Sequence, residues 1–334
     1  MAESTIDDSP DRSIGERLLY DSSGARLRAL WRVLVPLLVA VAIYAAGQSL
    51  VNRFAAGLLE PIADGTSRVV ATAVLFVALS AVIALAGVAG LLVASRLDRR
   101  PLSSYGLDVS GRWLRDFAAG ILIGVVAAAG AIGYLAARGD VALSPSVTGV
   151  GVDSPPLGGL VVLVLLLFLL ANNAFEEIVF RAIVIGNAVE GFRSGASNAT
   201  VAVVGAVVVS LPVFGALHLL GGGPMAVVTS AIGGILFATA YVLTGRLALP
   251  IGVHFGGLAD LSIRQQPLST DPELTLPSVV VAELTGDPSF LTGIELWAVR
   301  LLLGVALICL WVYATDGEVS IADRVLATAA DSER

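Results

Sequence analysis

The 334-residue chain has one cysteine, two histidines and no lysine, and only 14% of its residues are charged. A single cysteine, Cys309, excludes an intrachain disulfide and any cysteine-based metal site. All 20 basic residues are arginine, and against 27 acidic residues they leave a formal net charge of −7, which offers nucleic acid no basic surface. The missing lysine reads as codon usage rather than mechanism. Residues 1–28 are polar and acidic, with Asp7, Asp8, Asp11 and Glu16 among scattered arginines. They lack the basic start and short apolar core of a signal peptide, so the first apolar run is expected to direct insertion.

Hydrocarbon, by contrast, is abundant. Hydrophobic residues make up 56% of the chain and mean hydropathy is +0.88, outside the usage of soluble domains and indicative of a polytopic membrane protein. Runs long enough to cross a bilayer, about 17 to 25 residues, lie near Leu30–Val51, Val69–Ser95, Phe117–Ala137, Leu157–Ile185, Val201–Leu220, Met225–Thr244 and Leu291–Tyr313. A shorter run, Leu247–Ile263, makes eight. Breaks are predicted at Arg99-Arg100-Pro101, at Ser144-Pro145 and Ser154-Pro155-Pro156, over residues 194–198, at Gly221-Gly222-Gly223-Pro224 and at Gly245-Arg246. The expected architecture is all-α, about eight transmembrane helices in one bundle over residues 29–314, between polar tails at 1–28 and 315–334.

Arginine placement predicts the orientation, because short cytoplasmic loops are enriched in basic residues. Arg12, Arg17, Arg26, Arg28, Arg96, Arg99, Arg100, Arg112, Arg115, Arg193, Arg246, Arg324 and Arg334 fall on one side of eight crossings, and only Arg53, Arg68, Arg138 and Arg264 on the other. Both termini are therefore expected in the cytoplasm. The outer segment from Gln265 to Gly293 carries Asp271, Glu273, Glu283 and Asp287 and is long enough to cap a cavity or meet a partner; its Val279-Val280-Val281 run fits a short packed element equally well. Tyr105-Gly106-Leu107 through Trp113 reads as an interfacial approach to the third span, with Trp113 at headgroup level.

The fourth run ends in Ala171-Asn172-Asn173-Ala174-Phe175-Glu176-Glu177-Ile178-Val179-Phe180-Arg181. Ionised groups at membrane depth are costly and point to function. Glu177 and Arg181 are four residues apart and share a helix face, which predicts a structural ion pair. Glu176 is five from Arg181 and faces elsewhere, with Asn172 and Asn173 on its own side. It is the free carboxylate, and the better candidate for chemistry. Both histidines, His218 and His254, also sit inside apolar runs of this half of the chain. One alone is as well explained by an interhelical hydrogen bond, but two beside Glu-Glu-x-x-x-Arg point to a site. Gly215, Gly252, Gly256 and Gly257 beside them allow close backbone approach.

Glu176-Glu177-x-x-x-Arg181, then Phe214-x-x-x-His218, then His254 after Gly-Arg-Leu-Ala-Leu-Pro-Ile, resembles the CPBP family, the CAAX prenyl endopeptidases and bacteriocin-processing enzymes of the Abi group. The resemblance covers about residues 98–262, including Arg100-Pro101-Leu102 and Tyr105-Gly106-Leu107. It implies an intramembrane endopeptidase of a prokaryotic plasma membrane acting on a peptide or membrane-protein substrate. Carried over, Glu176 and His218 would activate water, His254 would stabilise the oxyanion, and Glu177 and Arg181 would support them. The resemblance also leaves a metal question, because Glu176, His218 and His254 could hold Zn²⁺ with an open position or work without metal as a Glu/His pair. One position departs from the pattern. The family continues from its third-motif His to Asn or Asp four residues on, where this chain has Leu258. Asp260, six residues after His254, would reach the site only through a kink at Gly256-Gly257; Asn172 or Asn173 could supply the amide instead. Two other readings remain at this point, a catalytically weakened scaffold or immunity-type protein that binds a partner, and a transporter or proton relay, against which no inverted repeat is visible.

Overall fold

The computed structural model describes residues 13–21, 26–62, 65–193, 198–270, 272–287 and 289–327, without the side chains of residues 220 and 221. The acidic residues Asp7, Asp8 and Asp11, Arg12, the break at 194–197, Asp271 and Arg334 lie outside them. After a short capped helix α1 (Ile14–Leu19) the chain runs through α2 (Ala29–Leu59), α3 (Gly65–Asp98), α4 (Gly111–Arg138) and strand β1 (Val141–Pro145). Then α5 (Pro155–Glu177) continues through a π-helical stretch, Ile178–Ile185, into α6 (Gly186–Arg193). There follow α7 (Ala199–Leu217), α8 (Leu219–Thr244), α9 (Ala248–Gly256), α10 (Ala259–Ile263), strands β2 (Ser269–Thr270), β3 (Glu273–Leu274) and β4 (Val280–Leu284), α11 (Phe290–Asp316) and α12 (Asp323–Leu326).

Among the described residues seven helices are long and apolar enough to cross a membrane, and the run Ala248–Ile263 is shorter. That run nevertheless joins opposite ends of the bundle. The Leu247 N–H donates to the Gly106 carbonyl in the α3–α4 loop, whereas Ile263 packs beside Leu135 and Val141 at the far end of α4. The protein is a helical polytopic bundle in which the split run makes an eighth passage. Helices overrun the apolar stretches that announced them, because hydropathy marks only the part in hydrocarbon while caps mark the ends. Thus α4, α8 and α11 stop at left-handed glycines, Gly139 (φ 85°), Gly245 (φ 61°) and Gly317 (φ 83°).

The Val279–Val281 run contributes to β4, which pairs antiparallel with β1 from Val141↔Leu284 to Pro145↔Val280. This small sheet covers one end of the bundle. At the other end a polar cluster ties four segments together. Arg32 reaches Asp98 (3.4 Å), Asn187 (3.2 Å) and Glu190 (3.1 Å), and Arg26 and Arg100 also meet Glu190, at 2.7 and 2.5 Å. The Tyr105 hydroxyl donates to Asp98, and burial together with that carboxylate pushes the phenol well above its usual range. Tyr105-Gly106-Leu107 is therefore an anchored turn, and Trp113 is half-buried against the cluster around Leu91 and Ile183. Part of the C-terminal tail packs too: Val325 is buried, and Arg324 pairs with Asp108, holding that carboxyl below its ordinary value.

The closest approach in the bundle is between α4 and α9, where Gly120-x-x-x-Gly124 meets Gly252-x-x-x-Gly256. A Cβ on Gly124 would lie 2.3 Å from the Val253 carbonyl oxygen, and one on Gly256 would lie 2.1 Å from that of Ile121. Small residues at four-residue spacing let two backbones touch where hydrocarbon supplies no hydrophobic drive. Gly256→Ala should accordingly destabilise the protein by about 1 to 3 kcal/mol, whereas Gly133→Ala, whose Cβ meets nothing within 4 Å, should be close to neutral. Thermal unfolding in detergent reads the difference, and equal midpoints would disprove the backbone contact.

Candidate active site

Glu177 and Arg181 lie at the centre of the bundle, 0% and 1% exposed, with Arg181 Nε 3.0 Å from Glu177 Oε2. That approach is off the hydrogen-bonding direction, so neither atom counts as hydrogen-bonded. Charge attraction and two aromatic faces hold the guanidinium instead, Phe214 at 4.7 Å and Phe237 at 5.6 Å. The other Glu177 oxygen, Oε1, accepts from His254 Nδ1 at 2.9 Å. Because an ionised carboxylate only accepts, Nδ1 carries the proton of that bond. The ring, stacked 4.1 Å from Phe237, then aims Nε2 toward Glu176. The π-helical stretch begins immediately after Glu177, and its wide turn shows in the bond from the Gly186 N–H to the Arg181 carbonyl, five residues back. Such stretches are rare and recur at functional sites.

Glu176 is held from its own helix and from α2. Asn172 Nδ2 donates to Oε1 at 2.7 Å, and the Tyr44 hydroxyl donates to Asn172 Oδ1 at 3.3 Å. Its second oxygen, Oε2, is buried without a hydrogen-bond partner, 3.9 Å from His254 Nε2. Asn173 is buried as well, and its amide nitrogen has no partner. His254 forms part of the wall of a cavity of about 590 Å³ between α4, α8, α10 and α11, closed on one side by Ala282 and Leu284 of β4. Residues 265–293 thus contribute to the wall of a cavity. Leu258 lines it too. At Gly256-Gly257 the helix gives way to three-residue bonds, Leu258 N–H to Phe255 and Asp260 N–H to Gly257, and this break turns Asp260 into the cavity wall.

His218 is not brought into that arrangement. It ends α7, its Nδ1 lies 2.9 Å from the Phe214 carbonyl oxygen of its own helix, and its ring meets the edge of Phe214 at 4.9 Å. Among the described contacts none joins it to Glu176 or His254. Nor do any three His, Cys, Asp or Glu side chains among the described residues converge as a metal site requires. The residues present do not fit the zinc set Glu176, His218 and His254. Three participants escaped the sequence reading. Tyr44 and Phe237 carry no local signal, but Arg300, on the cavity wall, was visible as a charge inside the last apolar run.

Residues 158–257 match the family model described as Rce1-like, type II CAAX prenyl endopeptidase. The match of this segment supports membership of the CPBP family. The CPBP segment holds Glu176, Glu177, Arg181, His218 and His254 and ends one residue before Leu258. Among the curated proteins and the solved structures none matches the chain.

Charge pairing sets the expected mutational pattern within the CPBP segment. Glu177→Gln leaves Arg181 buried and unpaired, a loss of about 3 to 5 kcal/mol, so folded yield and thermal midpoint should fall sharply. Glu176→Gln should leave both nearly unchanged. Size-exclusion profiles and melts of the two variants compare them directly, and the reverse ranking would sink the assignment of Glu177 as the structural carboxylate.

Proposed function

We propose that the protein is an intramembrane endopeptidase that hydrolyses a peptide bond in a peptide or membrane-protein substrate with a water activated by Glu176. The family match supports the class, and the observation that carries the mechanism is the unpartnered buried Oε2 of Glu176, 3.9 Å from His254 Nε2. A water bonded to that oxygen gives up a proton to Glu176 as its own oxygen attacks the scissile carbonyl. His254, when protonated, donates from Nε2 to the developing oxyanion, and Glu177 fixes the ring through Nδ1. Asn173, with an unused buried amide, is the second donor in place of the family's Asn or Asp at the position of Leu258. Glu176 then returns its proton to the leaving amine, so acid and amine products balance the water consumed. Arginine asymmetry supports placing both termini in the cytoplasm.

A positioned general base contributes about 10²- to 10⁴-fold, and one oxyanion donor about 10²- to 10³-fold. Purified protein presented with a peptide library should therefore cleave, Glu176→Gln should abolish cleavage, and Asn173→Ala should lower turnover by about 10²- to 10³-fold. A chelator series should leave the rate unchanged, because among the described residues no three His, Cys, Asp or Glu side chains converge as a metal site requires. Cleavage surviving Glu176→Gln would remove Glu176 from the chemistry. One observation favours a second reading, a weakened scaffold or immunity-type protein that holds a partner in the cavity: Leu258 is apolar where the family donates a hydrogen bond. Under that reading wild type is inert and Leu258→Asn gains activity.

A further inference from the structure

Arg300 lies in the middle of α11, outside the CPBP segment, and is 5% exposed. Its guanidinium rests on the Trp297 ring, 4.3 Å from the centroid. No hydrogen bond or ion pair reaches it among the described residues, and the buried Nε has no partner. A Cβ on Gly257 would fall 1.5 Å from its Nη2, so the glycine next to Leu258, one turn after His254, is what gives the group its place. A cation buried at membrane depth with no carboxylate in contact is costly unless a ligand supplies one. Arg300 lines the 590 Å³ cavity, with Ile132, Leu135, Leu261 and Leu296 among its apolar walls.

We propose that this cavity binds an apolar chain ending in a carboxylate, with Arg300 as its counterion. The charge count selects a single negative charge. Asp260 and Arg264 share the same wall and pair with each other at 3.4 Å, and the charge of Asp260 also acts on Arg300, so two arginines face one carboxylate and a net single positive charge is left. A phosphate dianion would sit against Asp260 as well as Arg300 and be repelled. A planar guanidinium matches a carboxylate in two-point geometry, and the apolar walls accept the hydrocarbon behind it. Two sources share this chemistry, the free C-terminus of an apolar peptide and a fatty acid from the bilayer. The inference stands on the cavity and does not require Glu176 to activate water.

Binding is measured calorimetrically with the full chain in lipid nanodiscs, carrying Glu176→Gln so that no probe is consumed. The probes are an acetylated Leu/Ala tetrapeptide as free acid, the same peptide as C-terminal amide, and decanoic acid as competitor. The free acid should bind about ten- to a hundredfold tighter than the amide, the worth of a charged hydrogen-bonded pair. Arg300→Met should erase that preference, Arg300→Lys should keep part of it, and Gly257→Ala, which displaces the guanidinium, should reduce it. Displacement of the peptide by decanoic acid identifies a lipid-derived chain as a ligand, and resistance to it identifies the peptide C-terminus; both agree with a carboxylate site. Equal binding of acid and amide, or an acid preference that persists in Arg300→Met, overturns the proposal. Should the arginine variants fail to fold, the acid-to-amide ratio of the parent protein decides alone.

Discussion

A guanidinium buried in a membrane bundle must have a counter-charge, and the position of Arg181 makes that requirement the centre of this molecule. Glu177 answers it from one helical turn away and uses its remaining oxygen to hold His254. Two aromatic rings close over the cation, and one of them, Phe237, also stacks on the histidine. Moving any one of these groups would leave another unpaired in low dielectric, where an orphaned charge is far more costly than in water. The arrangement therefore rigidifies α5, α8 and α9 against one another. Glu176 profits from this rigidity without taking part in it, since its free oxygen faces a histidine whose ring cannot turn away.

The bundle supplies the second constraint through glycine. Contact of α4 with α9 at backbone distance sets the depth of His254, because a side chain at Gly252 or Gly256 would hold the short helix away from its neighbour. The next glycine serves a different end, leaving room for Arg300 and allowing the chain to break. That break explains how Leu258 and Asp260 face one cavity, although a regular helix would separate them. The small sheet of β1 and β4 closes the same cavity from the loop side, so the segment between the last two passages is a wall of the site rather than a free connection.

Local spacing carried much of this in the sequence. Four-residue separation announced the Glu177–Arg181 pair and the support of Glu176 by Asn172, since both depend only on helical periodicity within one segment. Apolar runs announced the helices, because burial of backbone polar groups in hydrocarbon permits little else, and the order of the polar residues announced the resemblance to the CPBP family. Partnerships across helices were not legible. His254 meets Glu177 across 77 residues, and Tyr44 meets Asn172 across 128; tilt, the π-helical turn and the Gly256-Gly257 break decide such meetings, and none of these has a period to read. For the same reason His218, equal to His254 as a sequence signal, turned back to its own helix, and Arg300, a single charge in the last run, gained its meaning only from the cavity that the neighbouring elements build around it. What the sequence determined by itself is which groups cannot be left in hydrocarbon unpaired; tertiary packing decided which of them were paired with each other and which were left facing a space.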